Sequence, residues 1–337
     1  MTMPSLLVTV CVEGDNLQTR PAIITTRNGE MLDRVQGLFQ QYRIRPTWLT
    51  SYEMAVCPCF QEFGASVVQR QSGEIGAHLH GWTCPPHYMV SEDDCFYQPY
   101  GFEWPQTVLR DKINYLTDAL EDAFQTPITT HRAGRWGIDS HYIKCLHDRG
   151  YRVDCSVTPF VSWRKVPGVP GGRGGSDYLN APYQHYLMDL EDPLLPGNSS
   201  MMQVPVSVRP VHRNRIAHAS VYALQRMSLN YVQRATRRLF PSVIWLRPNG
   251  RNLVSMMQLI DEAEVAQQDY VQLVLNSSDF LMSGNARFQT EREVHELYED
   301  LEQLFERITR KFHSRTMSEF YDLHTQDVTS REPVFSS

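Results

Sequence analysis

Short runs of apolar, mostly β-branched residues alternate with longer segments of helical periodicity along the chain. The short runs predict seven strands, at Leu6–Val12, Arg45–Thr50, Glu74–His80, Ile128–Arg132, Tyr151–Val157, Met202–Val206 and Tyr270–Leu275. Segments with an apolar residue at every third or fourth position predict helices at Met31–Tyr42, Val108–Phe124 and about 291–313. This alternation indicates an α/β protein in which helices cover a mostly parallel sheet.

Seven strands with intervening helices predict a distorted (β/α)7-type barrel, more open than the eight-stranded kind. We expect a single domain over residues 1–337, because barrels of this type often run to about 250 residues as one unit. A basic, helix-prone stretch at about 209–245 interrupts the alternation and predicts a helical insertion. In such barrels the chemistry lies at the carboxyl ends of the strands, so polar residues there are the candidates for a functional site.

Composition and charge restrict the class of protein. Apolar residues make up 42% of the chain and charged residues 21%, which is typical of a globular protein with a full core. A formal net charge of -6 disfavours nucleic acid as a partner. No apolar run approaches the ~20 residues that a membrane span needs. The N-terminus also lacks the pattern of a secretory signal, and we therefore expect a cytoplasmic protein.

Two histidines end the third predicted strand. His78 and His80 lie two positions apart, so both side chains leave the same face of the strand. Glu13 and Asp15 follow the first strand. Two imidazoles and one carboxylate form a set that binds Zn²⁺, or Co²⁺, Ni²⁺ or Mn²⁺, and leaves positions open for water and substrate. The sequence therefore predicts a divalent-metal site at His78, His80 and either Glu13 or Asp15.

Other strand ends carry residues with both a functional and an ordinary structural interpretation. Arg132 and Trp136 follow the fourth strand, Asp154 the fifth and Asn276 the seventh. Arg132 and Asp154 are candidates for a buried ion pair, and Trp136 for a core position. Asp154 is also a candidate for capping a turn. Their order along the chain distinguishes the two interpretations.

In that order, the motifs resemble those of the NodB-like polysaccharide deacetylases over roughly residues 5–285. The matching stretches are the acidic residues Glu13 and Asp15, HLH at 78–80, HRAGRW at 131–136, VDCSVTP at 153–159 and LNSSD at 275–279. The resemblance implies a barrel that uses a divalent metal to remove acyl groups, most often N-acetyl groups, from a carbohydrate. Together with the expected cytoplasmic location, this activity predicts as substrate a nucleotide- or lipid-linked sugar, or the cytoplasmic face of a growing surface polysaccharide.

The resemblance also implies roles for the residues around the metal. Arg132 resembles the residue that orients the catalytic carboxylate, and Asp154 resembles the acidic residue that tunes the general acid. Trp136 resembles an aromatic groove wall, where a flat ring stacks on the C–H face of a sugar. Trp82 is a second aromatic candidate for that wall.

Two catalytic positions depart from the family pattern. Cys11 stands where the family carries its general-base Asp, and Asn276 stands where it carries its general-acid His. A general acid and a general base each contribute about 10²–10⁴-fold to such reactions. Since an Asn side chain cannot transfer a proton, the expected turnover is low.

The sequence leaves three consequences of these departures open. Glu13 or Asp15 can serve as the base, with His131 or His87 as the acid. Alternatively, the protein binds its sugar with little turnover, or the substitutions trap a substrate.

Functions from other classes also fit parts of the pattern. A carbohydrate-binding homologue would keep the barrel and the metal without turnover, and a different amidohydrolase would use the same scaffold. A glycosidase would use Glu13 and Asp154 as paired carboxylates. That last function explains neither the paired histidines nor the Arg–Trp motif.

Overall fold

The computed structural model describes residues 3–211 and 242–329, with side chains to residue 326. The strands are β1 Ser5–Val12, β2 Thr47–Thr50, β3 Glu74–Leu79, β4 Thr130–Ala133, β5 Val153–Asp154, β6 Tyr186–Leu187, β7 Met202–Gln203, β8 Val208–Pro210, β9 Val243–Trp245, β10 Tyr270–Asn276 and β11 His313–Arg315. The α-helices are α1 Leu32–Gln41, α2 Tyr52–Ala55, α3 Pro58–Gln69, α4 Asp94–Tyr97, α5 Gln106–Phe124, α6 Ser140–Arg149, α7 Leu253–Val265, α8 Glu291–Ile308 and α9 Met317–Thr329.

The seven predicted strands form one parallel sheet. Their order is β10-β1-β2-β3-β4-β5-β7, and β6 adds an antiparallel strand beyond β7. The sheet curls into a half-barrel with helices around it, which confirms the predicted α/β class and the distorted (β/α) barrel. At the edge of β10 that faces away from β1, the Gln272 backbone amide donates to Ser207 Oγ at 2.8 Å. The Val274 backbone amide donates to Leu246 O at 3.0 Å.

The long strand β1 separates two cores. All of its residues are buried. Leu6 and Val8 pack in the outer core with the helices, whereas Leu7 packs with Leu49 in a second core inside the barrel. Because successive side chains of a strand point to opposite faces, Cys11 faces the inside, as Leu7 does. The same alternation decides which strand-end residues reach the barrel interior.

Two predictions about the C-terminal half differ from the structure or lie partly outside it. Helix α8 ends at Ile308 rather than at about 313, because the chain turns and His313–Arg315 pairs in parallel with β1. The predicted insertion at about 209–245 begins and ends in β8 and β9, which form an antiparallel pair. Its residues 212–241 lie outside the described residues. Within the described ranges, no helix has the length and apolar character needed to cross a membrane.

Candidate metal centre

Glu13, His78 and His80 converge at the carboxyl ends of β1 and β3. His78 Nε2 lies 3.5 Å from Glu13 Oε2, and His80 Nε2 lies 3.3 Å from the same oxygen. The two Nε2 atoms are 3.0 Å apart. All three side chains are buried, and their ligand atoms lie within 4.8 Å of one another. The structure thus brings together the carboxylate and the two imidazoles that the spacing predicted.

The hydrogen bonds around this group suit a divalent ion. His78 Nδ1 lies 2.9 Å from the backbone oxygen of Arg132, which can only accept, so Nδ1 donates and Nε2 is left to face Glu13 and His80. Asn276 Nδ2 donates to Glu13 Oε1 at 2.7 Å and holds the carboxylate in place. Two nitrogens and one oxygen at an open position form a typical donor set for catalytic zinc and related ions. The residues present therefore fit a divalent metal.

The electrostatics of the group agree with this fit. Burial by itself lowers the pKa of His78, but the nearby Cys11 and Glu13 outweigh it and raise that pKa to about 9. Burial and the charge of His78 lower the pKa of His80 to about 4. Without an ion, the two imidazoles therefore hold one proton more than their neutral forms, as the imidazolium of His78. A divalent ion would replace that proton, because metal ligands must be deprotonated.

Asp15, predicted as an alternative ligand, lies outside this group. Its carboxylate accepts hydrogen bonds from Thr25 Oγ1 at 2.8 Å, from the Arg27 amide at 2.9 Å and from the Asn28 amide at 3.1 Å. Asn28 Nδ2 in turn donates to the backbone oxygen of Glu13 at 2.7 Å. Asp15 therefore fixes the loop that follows Glu13.

A cavity of about 110 Å³ opens over the metal group. Trp82 forms part of its wall and stacks on His80, with ring centroids 4.7 Å apart and planes 20° apart. The cavity is also lined by other residues that the sequence predicted as functional and by several that it did not predict. Its lining is Cys11, Glu13, Leu17, Gln18, His78, His80, Trp82, Gln98, Ala133, Arg135, Trp136, Arg247 and Asn276.

The turn after β4 brings aromatic and basic side chains to this cavity. Gly134 lies so close to His80 that a Cβ atom there would come within 2.5 Å of the imidazole, which explains the glycine of this motif. Arg135 and Trp136 follow with φ values of 57° and 64°. Such left-handed conformations are uncommon for bulky residues and mark a tightly constrained turn. Arg135 is held by the backbone oxygen of Gln98.

Arg132 lies beneath the cavity floor, beside the position where the family pattern has its base. Its Nη1 donates to Cys11 Sγ at 3.3 Å, and its Nη2 donates to Thr9 Oγ1 at 3.0 Å and to Gln272 Oε1 at 3.1 Å. The guanidinium carbon is 5.0 Å from the centroid of the Trp136 ring. No described carboxylate hydrogen-bonds Arg132, so the alternative of a direct Arg132–Asp154 pair is not what the structure shows.

Asp154 does not reach the cavity, contrary to the role that the resemblance implied. It lies opposite His131 in the β4–β5 register and faces the outer side of the sheet, whereas Arg132 faces the inside. Asp154 Oδ2 is 3.0 Å from His131 Nδ1, and His131 Nε2 is 3.0 Å from Tyr142 Oη on helix α6. Ser156 also donates to the carboxylate. The alternation of side chains along β4 and β5 thus places Asp154 beneath the helices.

Sequence reasoning missed four polar residues of the cavity: Gln18, Gln98, Arg135 and Arg247. Arg247 Nη2 donates to Asn276 Oδ1 at 3.0 Å, and Asn276 binds Glu13. Burial and the charge of Arg287 lower the pKa of Arg247 to about 10. Arg247 follows a short edge strand and matches no motif, so the sequence carries no signal for it. Arg135 lies within the HRAGRW motif and was the one detectable residue of the four.

Comparison with known proteins establishes the fold. No protein-family model matches the chain, and no curated protein matches it. Among solved structures, a candidate polysaccharide deacetylase from Mycobacterium smegmatis aligns with a TM-score of 0.53 at 13% identity, over 100% of this chain and 95% of that one. A candidate glycoside hydrolase/deacetylase from Parabacteroides distasonis aligns with a TM-score of 0.56 at 11% identity, over 96% of this chain and 72% of that one.

A third solved structure is a 4-alpha-glucanotransferase from Thermococcus litoralis. It aligns with a TM-score of 0.51 at 12% identity, over 95% of this chain and 40% of that one. The chain therefore has the fold of polysaccharide deacetylases, as the resemblance implied. Because the same fold also belongs to a protein named for glucan transfer, the reaction must be argued from the site.

Proposed function

We propose that this protein is a metal-dependent carbohydrate deacylase, acting chiefly on N-acetyl groups and with low turnover. One observation carries the proposal: a buried Glu13–His78–His80 group at the strand ends, open to a cavity with indole rings in its wall. Zinc is the preferred ion, because two imidazoles and a carboxylate suit it. The rings of Trp82 and Trp136 offer flat apolar surfaces to a sugar.

Each inner residue has a role in this proposal. Glu13, His78 and His80 hold the ion, which when bound supplies Lewis acidity toward an acyl oxygen and toward water. Asn276 orients Glu13 through the 2.7 Å hydrogen bond. Arg132 positions Cys11, which lies at the base position.

The cavity lining indicates slow turnover, because among the described residues it contains no histidine besides those of the metal group. Beyond the metal group, its titratable side chains among the described residues are Cys11, Arg135 and Arg247. His131 is bonded to Asp154 and Tyr142 on the outer face, so it cannot serve as the acid. His87 is exposed and is not part of the lining.

Among its described lining residues, the cavity lacks the second carboxylate that the glycosidase alternative requires. Glu13 is the one carboxylate in the described lining, and Asp154 lies on the opposite face of the sheet. A retaining or inverting glycosidase needs two carboxylates about 5–9.5 Å apart on either side of the scissile bond. The arrangement therefore favours deacylation.

The test restores the family's proton carriers. We would measure acetate release from N-acetylglucosamine oligomers by wild type, Cys11→Asp, Asn276→His and the double variant, each at measured and equal zinc content. We expect the double variant to exceed wild type by about 10³-fold, and each single variant to gain much less, because acid and base act as a unit.

Two results would contradict the proposal in different ways. If all four proteins are inert while the oligomers still bind, the protein is a carbohydrate-binding homologue. If wild type is fast and both restorations slow it, another group transfers the proton. A parallel panel of O-acetylated sugars and small cyclic amides tests the acyl position and the other amidohydrolase function.

A further inference from the structure

A second cavity of about 240 Å³ adjoins the one over the metal group. Trp136 and Arg247 line both cavities, so the two spaces are neighbours at the same mouth of the barrel. The second cavity is lined by Trp136, Trp163, Val243, Ile244, Trp245, Arg247, Pro248, Asn249, Asn252, Ser255 and Arg287. Its two charged side chains are both arginines.

Arg247 lacks part of its hydrogen bonding. Its Nη2 donates to Asn276 Oδ1 at 3.0 Å, but its Nε is buried and has no hydrogen-bond partner among the described residues. A buried guanidinium donor without a partner carries a desolvation cost, so the described residues do not fully compensate the Arg247 cation. Burial and the charge of Arg287 also lower the pKa of Arg247 to about 10, so the surroundings supply too little negative charge.

Arg287, the second cation, is only weakly neutralised. Its Nη1 lies 3.6 Å from Asp279 Oδ1. That carboxylate also accepts the Asn276 amide at 3.0 Å and Asn285 Nδ2 at 2.7 Å, so it is shared among three donors. No described carboxylate lines the second cavity.

A third cavity shows what a neutralised arginine pair looks like in the same protein. It is lined by Arg164 and Arg173 together with Asp139 and Asp177, as well as further acidic residues. Arg173 lies 2.9 Å from Asp139, and Arg164 lies 3.2 Å from Asp177. The excess of positive charge is therefore a property of the second cavity and not of arginine-lined cavities in general.

Three indole rings complete the second cavity. The centroids of Trp136 and Trp245 are 6.1 Å apart, and those of Trp163 and Trp245 are 6.5 Å apart. Their planes are inclined by 50° and 60°, so the rings form walls rather than a stacked core. Indole faces favour the C–H surfaces of a sugar ring, while the arginines favour an anionic group.

We propose that the second cavity binds an acidic sugar unit, one that carries a carboxylate or phosphate group, beside the unit held at the metal group. The anionic group accepts hydrogen bonds from the guanidinium groups of Arg247 and Arg287, and the tryptophans contact the ring. The position next to the deacylated unit rests on the proposed function. The preference for an anionic sugar does not, because it requires binding alone.

The test compares ligands that differ in charge, by calorimetric titration of the zinc-loaded full chain. The probes are the neutral N-acetylglucosamine disaccharide, the glucuronic acid–N-acetylglucosamine disaccharide and the 6-phosphate of the neutral disaccharide. We expect one or both acidic probes to bind about 10- to 100-fold tighter than the neutral one, as charge-assisted hydrogen bonds do. The two acidic probes distinguish a carboxylate site from a phosphate site.

Arg287→Gln should reduce the preference to about 3-fold or less at unchanged zinc content, whereas the control Arg173→Gln should keep it. Equal binding of neutral and acidic probes by wild type would overturn the inference, as would a preference that survives Arg287→Gln. If the acidic preference is present but no variant releases acetate, the proposed function fails and this inference stands. If acetate is released but the acidic probes bind no tighter than the neutral one, the proposed function stands and this inference fails.

Discussion

Two buried acid–histidine groups lie on opposite faces of the same sheet. The inner group joins Glu13 to His78 and His80, and the outer group joins Asp154 to His131. Both are buried, and both lie near the carboxyl ends of parallel strands. Both combine a carboxylate with imidazole, so the presence of these two side-chain types does not by itself explain why only the inner group is a candidate metal centre.

The difference lies in what the remaining polar atoms contact. The Asp154 carboxylate accepts from His131 Nδ1, from the amide and hydroxyl of Ser156 and from Gln203 Nε2, at 2.7–3.0 Å. The second nitrogen of His131 is taken by Tyr142. In the inner group the two imidazole Nε2 atoms and Glu13 Oε2 face one another beside a cavity. A saturated group stabilises the fold, while an unsaturated one is available to an ion.

The largest expected effect breaks the inner group. His78→Ala should lower zinc affinity by more than about 100-fold. Removing a ligand should cost more than the loss of about 10–100-fold that follows when a residue hydrogen-bonded to a ligand is changed. The matched change His131→Ala should leave the zinc content of the folded protein unaltered. Elemental analysis of both purified variants decides the point. Equal zinc in wild type and His78→Ala would refute the metal assignment.

The second effect concerns stability and belongs to the outer group. Asp154→Ala leaves His131, Ser156 and Gln203 without their shared acceptor, and we expect a loss of about 3–5 kcal/mol in the free energy of unfolding. Asp139 caps helix α6 through the Tyr142 amide, and Asp139→Ala should cost only about 1 kcal/mol. Denaturant titration measures both. A loss from Asp154→Ala no larger than that of the control would remove the distinction.

The smallest effect is a pH dependence of stability. Burial lowers the pKa of His131 below its usual 6.5, although Asp154 opposes the shift. The unfolded chain therefore binds a proton that the folded chain resists, and His131 lowers stability as the pH falls below 6.5. The slope is at most about 1.4 kcal/mol per pH unit. His131→Gln should reduce the decrease in the free energy of unfolding between pH 6.5 and pH 5.

The control for this titration is His141→Gln, since His141 is exposed at the start of helix α6. It should leave the slope as in wild type. An unchanged slope in His131→Gln would show that other groups set the acid dependence of stability.

Much of the fold was predictable because its signals are local. Runs of β-branched residues predicted seven of the eight parallel strands in the described sheet, although β5 and β7 are only two residues long. Helices α2, α3, α4, α6, α7 and α9 were not predicted. The end of α8 was placed too late, because the pairing of His313–Arg315 with β1 depends on residues about 300 positions away in sequence.

The same difference between local signals and long-range contacts applies to the site. By itself, the sequence determined that His78 and His80 share a face, because the two-residue period of a strand follows from backbone geometry. Only the tertiary structure decided that Glu13 rather than Asp15 reaches them, since the hydrogen bonds of the loop at residues 25–28 occupy Asp15. It also turned Asp154 outward and brought Arg247 beside Asn276. Those outcomes depend on which face of the sheet packs against which helix, and no local pattern in the chain specifies that.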